Sequence, residues 1–139
     1  MTKKCVSSQN GTIYYWTSKN NELATLVFLP GLTADHTLFE QQIMALKNEY
    51  NILVWDCPCH GLSRPYTDFT YRNVTVELNR ILEVENINEM VLIGQSLGGM
   101  IAQYFANEYP HKVKGFIGID TAPFGSYYSK SDLFWLNQL

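Results

Sequence analysis

Gly94-Gln95-Ser96-Leu97-Gly98 places a serine between two glycines in the spacing G-x-S-x-G. Ahead of it Met90-Val-Leu-Ile93 reads as a strand. Behind it Leu97, Met100, Ile101, Tyr104 and Phe105 recur at helical spacing until Pro110 ends the pattern. The motif therefore occupies a strand-to-helix turn, where a sharp bend lifts a hydroxyl clear of the backbone and flanking side chains would collide with neighbouring chain. The N–H groups opening the helix point at the same place, where charge would collect on a tetrahedral intermediate. The chemistry is acyl transfer, with Ser96 as nucleophile. The bland alternative is a tight turn in which Ser96 only caps the helix.

A serine hydroxyl needs a base to attack. His111, the one histidine after Ser96, precedes the strand predicted over Val113 to Ile119 and so lies at the amino edge of the sheet, whereas sites in parallel sheets gather at the carboxyl ends. His36 and His60 follow strands at the correct end but precede the serine, and each reads as a loop residue. Cys57-Pro-Cys59 beside His60 has no second spaced pair of ligands, so no metal site is expected.

The elements that must position these residues alternate between two periodicities. Thr12 to Trp16, Ala24 to Leu29, Asn51 to Asp56, Met90 to Ile93 and Val113 to Ile119 read as strands. Thr37 with Glu40 has the form of a capping box ahead of Phe39, Ile43 and Leu46, and Val74, Leu78, Ile81 and Leu82 line a helix from about Tyr71 to Glu85. Strands separated by helices imply crossovers and a parallel sheet.

The 139 residues are 46% hydrophobic with a net charge of -3, enough for one core and without the basic stripe that nucleic acid requires. No run is long enough to span a bilayer, and the N-terminus lacks the apolar stretch of a secretory signal. Three cysteines, two of them separated only by Pro58, do not form a disulfide framework, so a cytoplasmic setting is expected.

Three blocks together resemble the α/β-hydrolase family. Pro30-Gly31-Leu32 is similar to its oxyanion turn, with Pro-Gly where His-Gly is usual. Asp56-Cys-Pro-Cys-His60-Gly61-Leu-Ser63 is similar to its Asp-x-x-Gly-x-Gly-x-Ser loop, with Cys59 where glycine is preferred, and Gly94 to Gly99 resembles its nucleophile elbow. Their order and spacing agree with the family. The resemblance implies a doubly wound, mostly parallel α/β sheet of α/β-hydrolase topology, truncated before its last strands. Residues 1–120 would form the N-terminal part of the core and 121–139 the start of a lid, in which Tyr127, Tyr128, Phe134 and Trp135 would cover an apolar acyl pocket.

The implied function is a serine hydrolase acting on a small-molecule ester, thioester, lactone or related acyl bond through an acyl-serine, with no cofactor. Ser96 would attack, the backbone N–H groups of Leu32 and Leu97 would hold the oxyanion, and His60 would brace its loop. The family runs serine, acid, histidine along the chain, which makes Asp120 a candidate acid and puts the histidine beyond residue 139. A serine at the elbow argues against the dehalogenase and epoxide-hydrolase branches, whereas carbon–carbon hydrolases, peptidases and haloperoxidase-like members stay open. A second reading is a non-catalytic module of the same fold that binds a small ligand, and a histidine downstream of Ser96 would separate the two. The 139 residues alone are expected to show little turnover, to bind neither nucleic acid nor membrane, and to self-associate through the open edge at Val113 to Ile119.

Overall fold

Ile13, Tyr15 and Thr17 are buried while Thr12, Tyr14 and Trp16 between them are less so, the two-residue period of a strand with one face turned inward. The computed structural model describes residues 1–20 and 22–123, and in it this segment is β2 (Gly11–Ser18), paired antiparallel with β1 (Thr2–Ser8) through a two-residue hairpin at Gln9 and Asn10. β1 is absent from the sequence-based expectation. Of its residues only Val6 is buried, so it carries no hydrophobic alternation and owes its form to pairing with β2.

The remaining strands are β3 (Thr25–Leu29), β4 (Asn51–Trp55), β5 (Met90–Gln95) and β6 (Val113–Ile119), interleaved with helices α1 (Glu40–Leu46), α2 (Tyr71–Val84) and α3 (Leu97–Glu108). Their order across the sheet is β1-β2-β4-β3-β5-β6, with β4, β3, β5 and β6 parallel. The fold is the expected mostly parallel α/β sheet. β3 and β4 are almost wholly buried because both of their faces are covered. Val27, Leu29, Leu53 and Trp55 face α2 and α3, packing with Leu78, Ile81, Ile101 and Phe105. Phe28, Ile52, Val54 and Ile93 face the opposite side, against Phe39 and Ile43 of the α1 segment.

The expected capping box at Thr37 is corrected. Asp35 is the cap, its carboxylate accepting from the Thr37 N–H at 2.8 Å and the Thr37 hydroxyl at 2.6 Å, and a 3-10 turn over His36–Phe39 precedes α1. Those bonds, the side-chain one first, hold the Asp35 carboxyl below its ordinary pKa. α2 begins as read, with the Thr70 hydroxyl accepting from the Asn73 N–H. At the far side of the sheet β6 has one unpaired edge among the described residues, and Phe116, Ile117 and Ile119 are exposed. The aromatic residues assigned to a lid, Tyr127, Tyr128, Phe134 and Trp135, lie outside the described residues.

A buried acid ties the antiparallel strands to α2. Glu85, which closes α2, accepts from Lys4 Nζ at 2.9 and 3.2 Å and from the Tyr15 hydroxyl at 2.7 Å, while Lys19 Nζ donates to its carbonyl at 2.8 Å. Burial opposes its charge, but the hydrogen bonds from Lys4 and Tyr15 and the positive charges of Lys4 and Lys19 outweigh burial and lower the pKa below its ordinary 4.5. A carboxylate whose folded pKa is depressed contributes stability above its unfolded pKa and loses it as pH falls through the folded value. Denaturant melts of the wild type should therefore weaken as the pH is taken below 4.5. Glu85→Gln should be less stable at neutral pH and show a shallower acid slope; an unchanged slope would rule out this linkage.

Candidate active site

Ser96 joins β5 to α3 with φ 51° and ψ −117°. Such a conformation costs a non-glycine residue on the order of 1–3 kcal/mol and persists only where the surroundings over-determine it. Here they do. The Ser96 N–H donates to the Ile119 carbonyl at 3.0 Å, and its own carbonyl accepts from the N–H groups of Gly99 at 2.9 Å and Met100 at 3.2 Å and from the Thr121 hydroxyl at 2.8 Å. The Ser96 side chain makes no capping bond, so its hydroxyl is not committed to the helix as the bland reading requires.

The turn after β3 lies directly against this elbow. A Cβ at Gly98 would collide with the Leu29 carbonyl, and one at Gly31 with the Gln95 side chain and carbonyl. Absence of those two side chains lets the turn, in which Leu32 is the next residue, lie close against the elbow. Leu32 is exposed, and Thr33 after it has φ 62°, which bends the chain away. Leu97 is buried as the first residue of α3, and a helix's first N–H groups have no acceptor within the helix.

The turn is anchored from below by a carboxylate that the sequence reading assigned only to a motif. Asp56 follows β4 and is fully buried. Its Oδ1 accepts from the His36 N–H and from His36 Nδ1, both at 2.8 Å, and its Oδ2 accepts from the Leu62 N–H at 2.8 Å. A carboxylate only accepts, so Nδ1 carries the imidazole proton. The His36 ring stacks on Trp16 with centroids 3.5 Å apart. Gly61 has φ 50°, and a Cβ there would strike the Asp56 carboxylate, so no other residue fits.

Cys59, where the family prefers glycine, has φ 71°, and the strained residue is held by its N–H to the Ser63 carbonyl at 3.0 Å. His60 is buried with Nδ1 3.0 Å from the Pro58 carbonyl, a bond within the loop it was expected to brace. Burial pushes the neighbouring Cys57 thiol well above its ordinary pKa.

Asp120 follows β6 at the carboxyl edge, exposed, with φ 48° and no hydrogen bond or ion pair among the described residues. Its neighbour Thr121 contacts the elbow instead. His111 is exposed in a 3-10 turn over Pro110–Lys112, at the amino end of β6 as its position in the sequence implied. Among the described residues no group of three or more histidine, cysteine, aspartate or glutamate side chains is arranged to hold a metal ion.

A family model described as alpha/beta hydrolase fold matches residues 24–138. The chain belongs to the α/β-hydrolase family. Among characterised α/β-hydrolases it is 27% identical over 110 residues to the pimeloyl-[acyl-carrier protein] methyl ester esterase of Wigglesworthia glossinidia brevipalpis, covering 79% of this chain and 41% of that protein. It is 35% identical over 101 residues to the sn-1-specific diacylglycerol lipase ABHD11 of Xenopus tropicalis, covering 70% of this chain and 31% of that one. A hydrolase from Pseudomonas aeruginosa PA01 shares the fold with a TM-score of 0.84 at 18% identity, covering 98% of this chain and 51% of that chain. The chain thus spans less than half the length of the two curated relatives, both of them hydrolases.

In this α/β-hydrolase the Asp56 pin generates a stability prediction. Asp56→Asn replaces one acceptor oxygen by an N–H donor facing donors, which should cost about 1–3 kcal/mol. His36→Phe keeps a ring on Trp16 and removes only the imidazole bond, so it should cost less. The two losses should be non-additive in urea melts, because both remove one shared bond. Additive losses would mean that the contact carries no energy.

Proposed function

We propose that this chain supplies the nucleophile and oxyanion hole of a serine hydrolase that cleaves an ester, thioester, lactone or related acyl bond through an acyl-serine. The observation that supports it most is the strained Ser96, its hydroxyl free of any capping bond, in an elbow whose Gln95 and Gly98 lie against the turn at Leu29, Pro30 and Gly31. Ser96 Oγ attacks the carbonyl carbon. The N–H groups of Leu32 and Leu97 hold the resulting oxyanion, and strain in the elbow keeps the hydroxyl clear of the backbone. Asp120, at the carboxyl edge, is the acid this reading offers. The names of the two relatives, a methyl ester esterase and a diacylglycerol lipase, accord with acyl-ester substrates. The three cysteines are free thiols, which suits a cytoplasmic enzyme.

A fluorophosphonate probe should label the full-length protein at Ser96, and Ser96→Ala should abolish the label. Labelling that survives in the Ala variant would move the nucleophile elsewhere. No labelling of the wild type would favour the ligand-binding module.

Leu32 acts through its backbone, so Leu32→Ala should retain much of the activity whereas Leu32→Pro, which lacks the donor, should lose about a hundredfold in kcat. Equal mild losses in both variants would exclude an oxyanion role at this position.

A further inference from the structure

Beside the oxyanion turn is a cleft of about 190 Å³ lined by Leu32, Thr33, Cys59, His60, Gly61 and Arg64. It joins the turn after β3 to the loop after β4, and one of its walls is the residue assigned to the oxyanion hole. Some of its polar groups have no protein partner among the described residues. Arg64 donates through Nε to the Gly61 carbonyl at 3.3 Å, which fixes one side of the guanidinium, and its two amino groups have no acceptor among the described residues.

The ion pairs of the described residues use Lys4, His36, Arg80, Lys112 and Lys114, so among them Arg64 has no carboxylate partner. Among the described residues no acid lines the cleft, and Asp56, behind Gly61, already accepts three N–H donors. His60 is only 6% exposed, and with Nδ1 given to the Pro58 carbonyl its Nε2 has no partner among the described residues.

We infer that this cleft is a subsite for a carboxylate carried by the acyl substrate, with Arg64 as the residue that selects it. The inference rests on the serine-hydrolase reading for the word substrate, but the binding it describes needs no turnover. A guanidinium presents paired N–H donors in a plane that matches the two oxygens of a carboxylate. The Thr33 hydroxyl on the same wall can add a third donor. With Nδ1 against the Pro58 carbonyl, His60 Nε2 is the ring nitrogen left to hydrogen-bond a polar group of the same ligand. The substrate class is therefore an acyl ester or lactone with a free acid group, such as the half-ester of a dicarboxylic acid, in preference to a neutral ester.

Calorimetric titration of the Ser96→Ala protein, which cannot consume the ligand, with monomethyl glutarate and with dimethyl glutarate tests this. The half-ester should bind about tenfold more tightly, the low end of what a charge-assisted bond contributes, and the advantage should shrink as salt is raised. Arg64→Gln in the same background should remove the advantage, and Arg64→Lys should restore part of it. Arg64 is exposed, so neither change threatens the fold. Equal affinity for the two esters, binding of neither, or an advantage that survives Arg64→Gln overturns the subsite. A half-ester preference in a protein whose Ser96 takes no fluorophosphonate would leave the subsite standing and remove the hydrolase reading.

Discussion

A carboxylate with no exposure to water, Asp56, is the joint on which the carboxyl edge of the sheet depends. Burying an ionised acid is tolerable only when its lone pairs are filled, and here three N–H donors fill them. Two of those donors belong to His36 in the segment after β3 and one to Leu62 in the loop after β4. One acid therefore ties together two loops separated by more than a dozen residues of helix and strand. The Leu32 turn is thereby fixed at both of its ends, by β3 on one side and by the His36 anchor on the other. The stacking of His36 on Trp16 adds β2 to the same joint. A turn held this way can present a backbone N–H at a set position without ordering it anew at each encounter with a ligand.

The elbow follows the complementary logic. Where the Asp56 joint removes freedom by hydrogen bonds, the elbow removes it by exclusion. Gly98 lets α3 approach the end of β3, and Gly99 leaves room for Thr121, whose hydroxyl reaches the Ser96 carbonyl. The strain at Ser96 is sustained from three directions: β6 through Ile119, the first turn of α3, and the segment leaving β6. Pairing of β5 with β6 through Gln95 and Ile119 is therefore part of the site as well as of the sheet. A distortion of β6 would be felt at the serine.

Much of this was legible in the sequence, and the reasons differ by element. Val113–Ile119 is legible to the residue because Pro110 precedes it and Asp120 follows it, and α2 is legible to within a residue because four apolar residues fall on one helical face. Ser96 stood out because two small residues at fixed spacing at a strand-to-helix junction serve only a bend. β1 was illegible for the opposite reason: an edge strand with one buried residue has no pattern, and only its hairpin partner defines it. Asp35 was passed over for Thr37 because both are good caps two residues apart, and only backbone geometry decides between them.

The joint at Asp56 shows where sequence reasoning stops. An acid placed straight after four apolar strand residues announces that it will be buried and must be satisfied. It does not announce by what. The donors are two main-chain N–H groups and an imidazole twenty residues upstream, and main-chain donors leave no trace in residue type. The same holds for the oxyanion groups assigned to Leu32 and Leu97, whose side chains have no part in that role. Arg64 is the converse case: a side chain whose type is plain, but whose spare amino groups become informative only when the loop has folded and set it at a cleft that no acid lines among the described residues. Residues that act through side chains can be found by type and spacing. Those that would act through backbone are found by asking which N–H groups the fold leaves unpaired beside a strained serine, and in this chain the fold puts candidates of both kinds at one edge of one sheet.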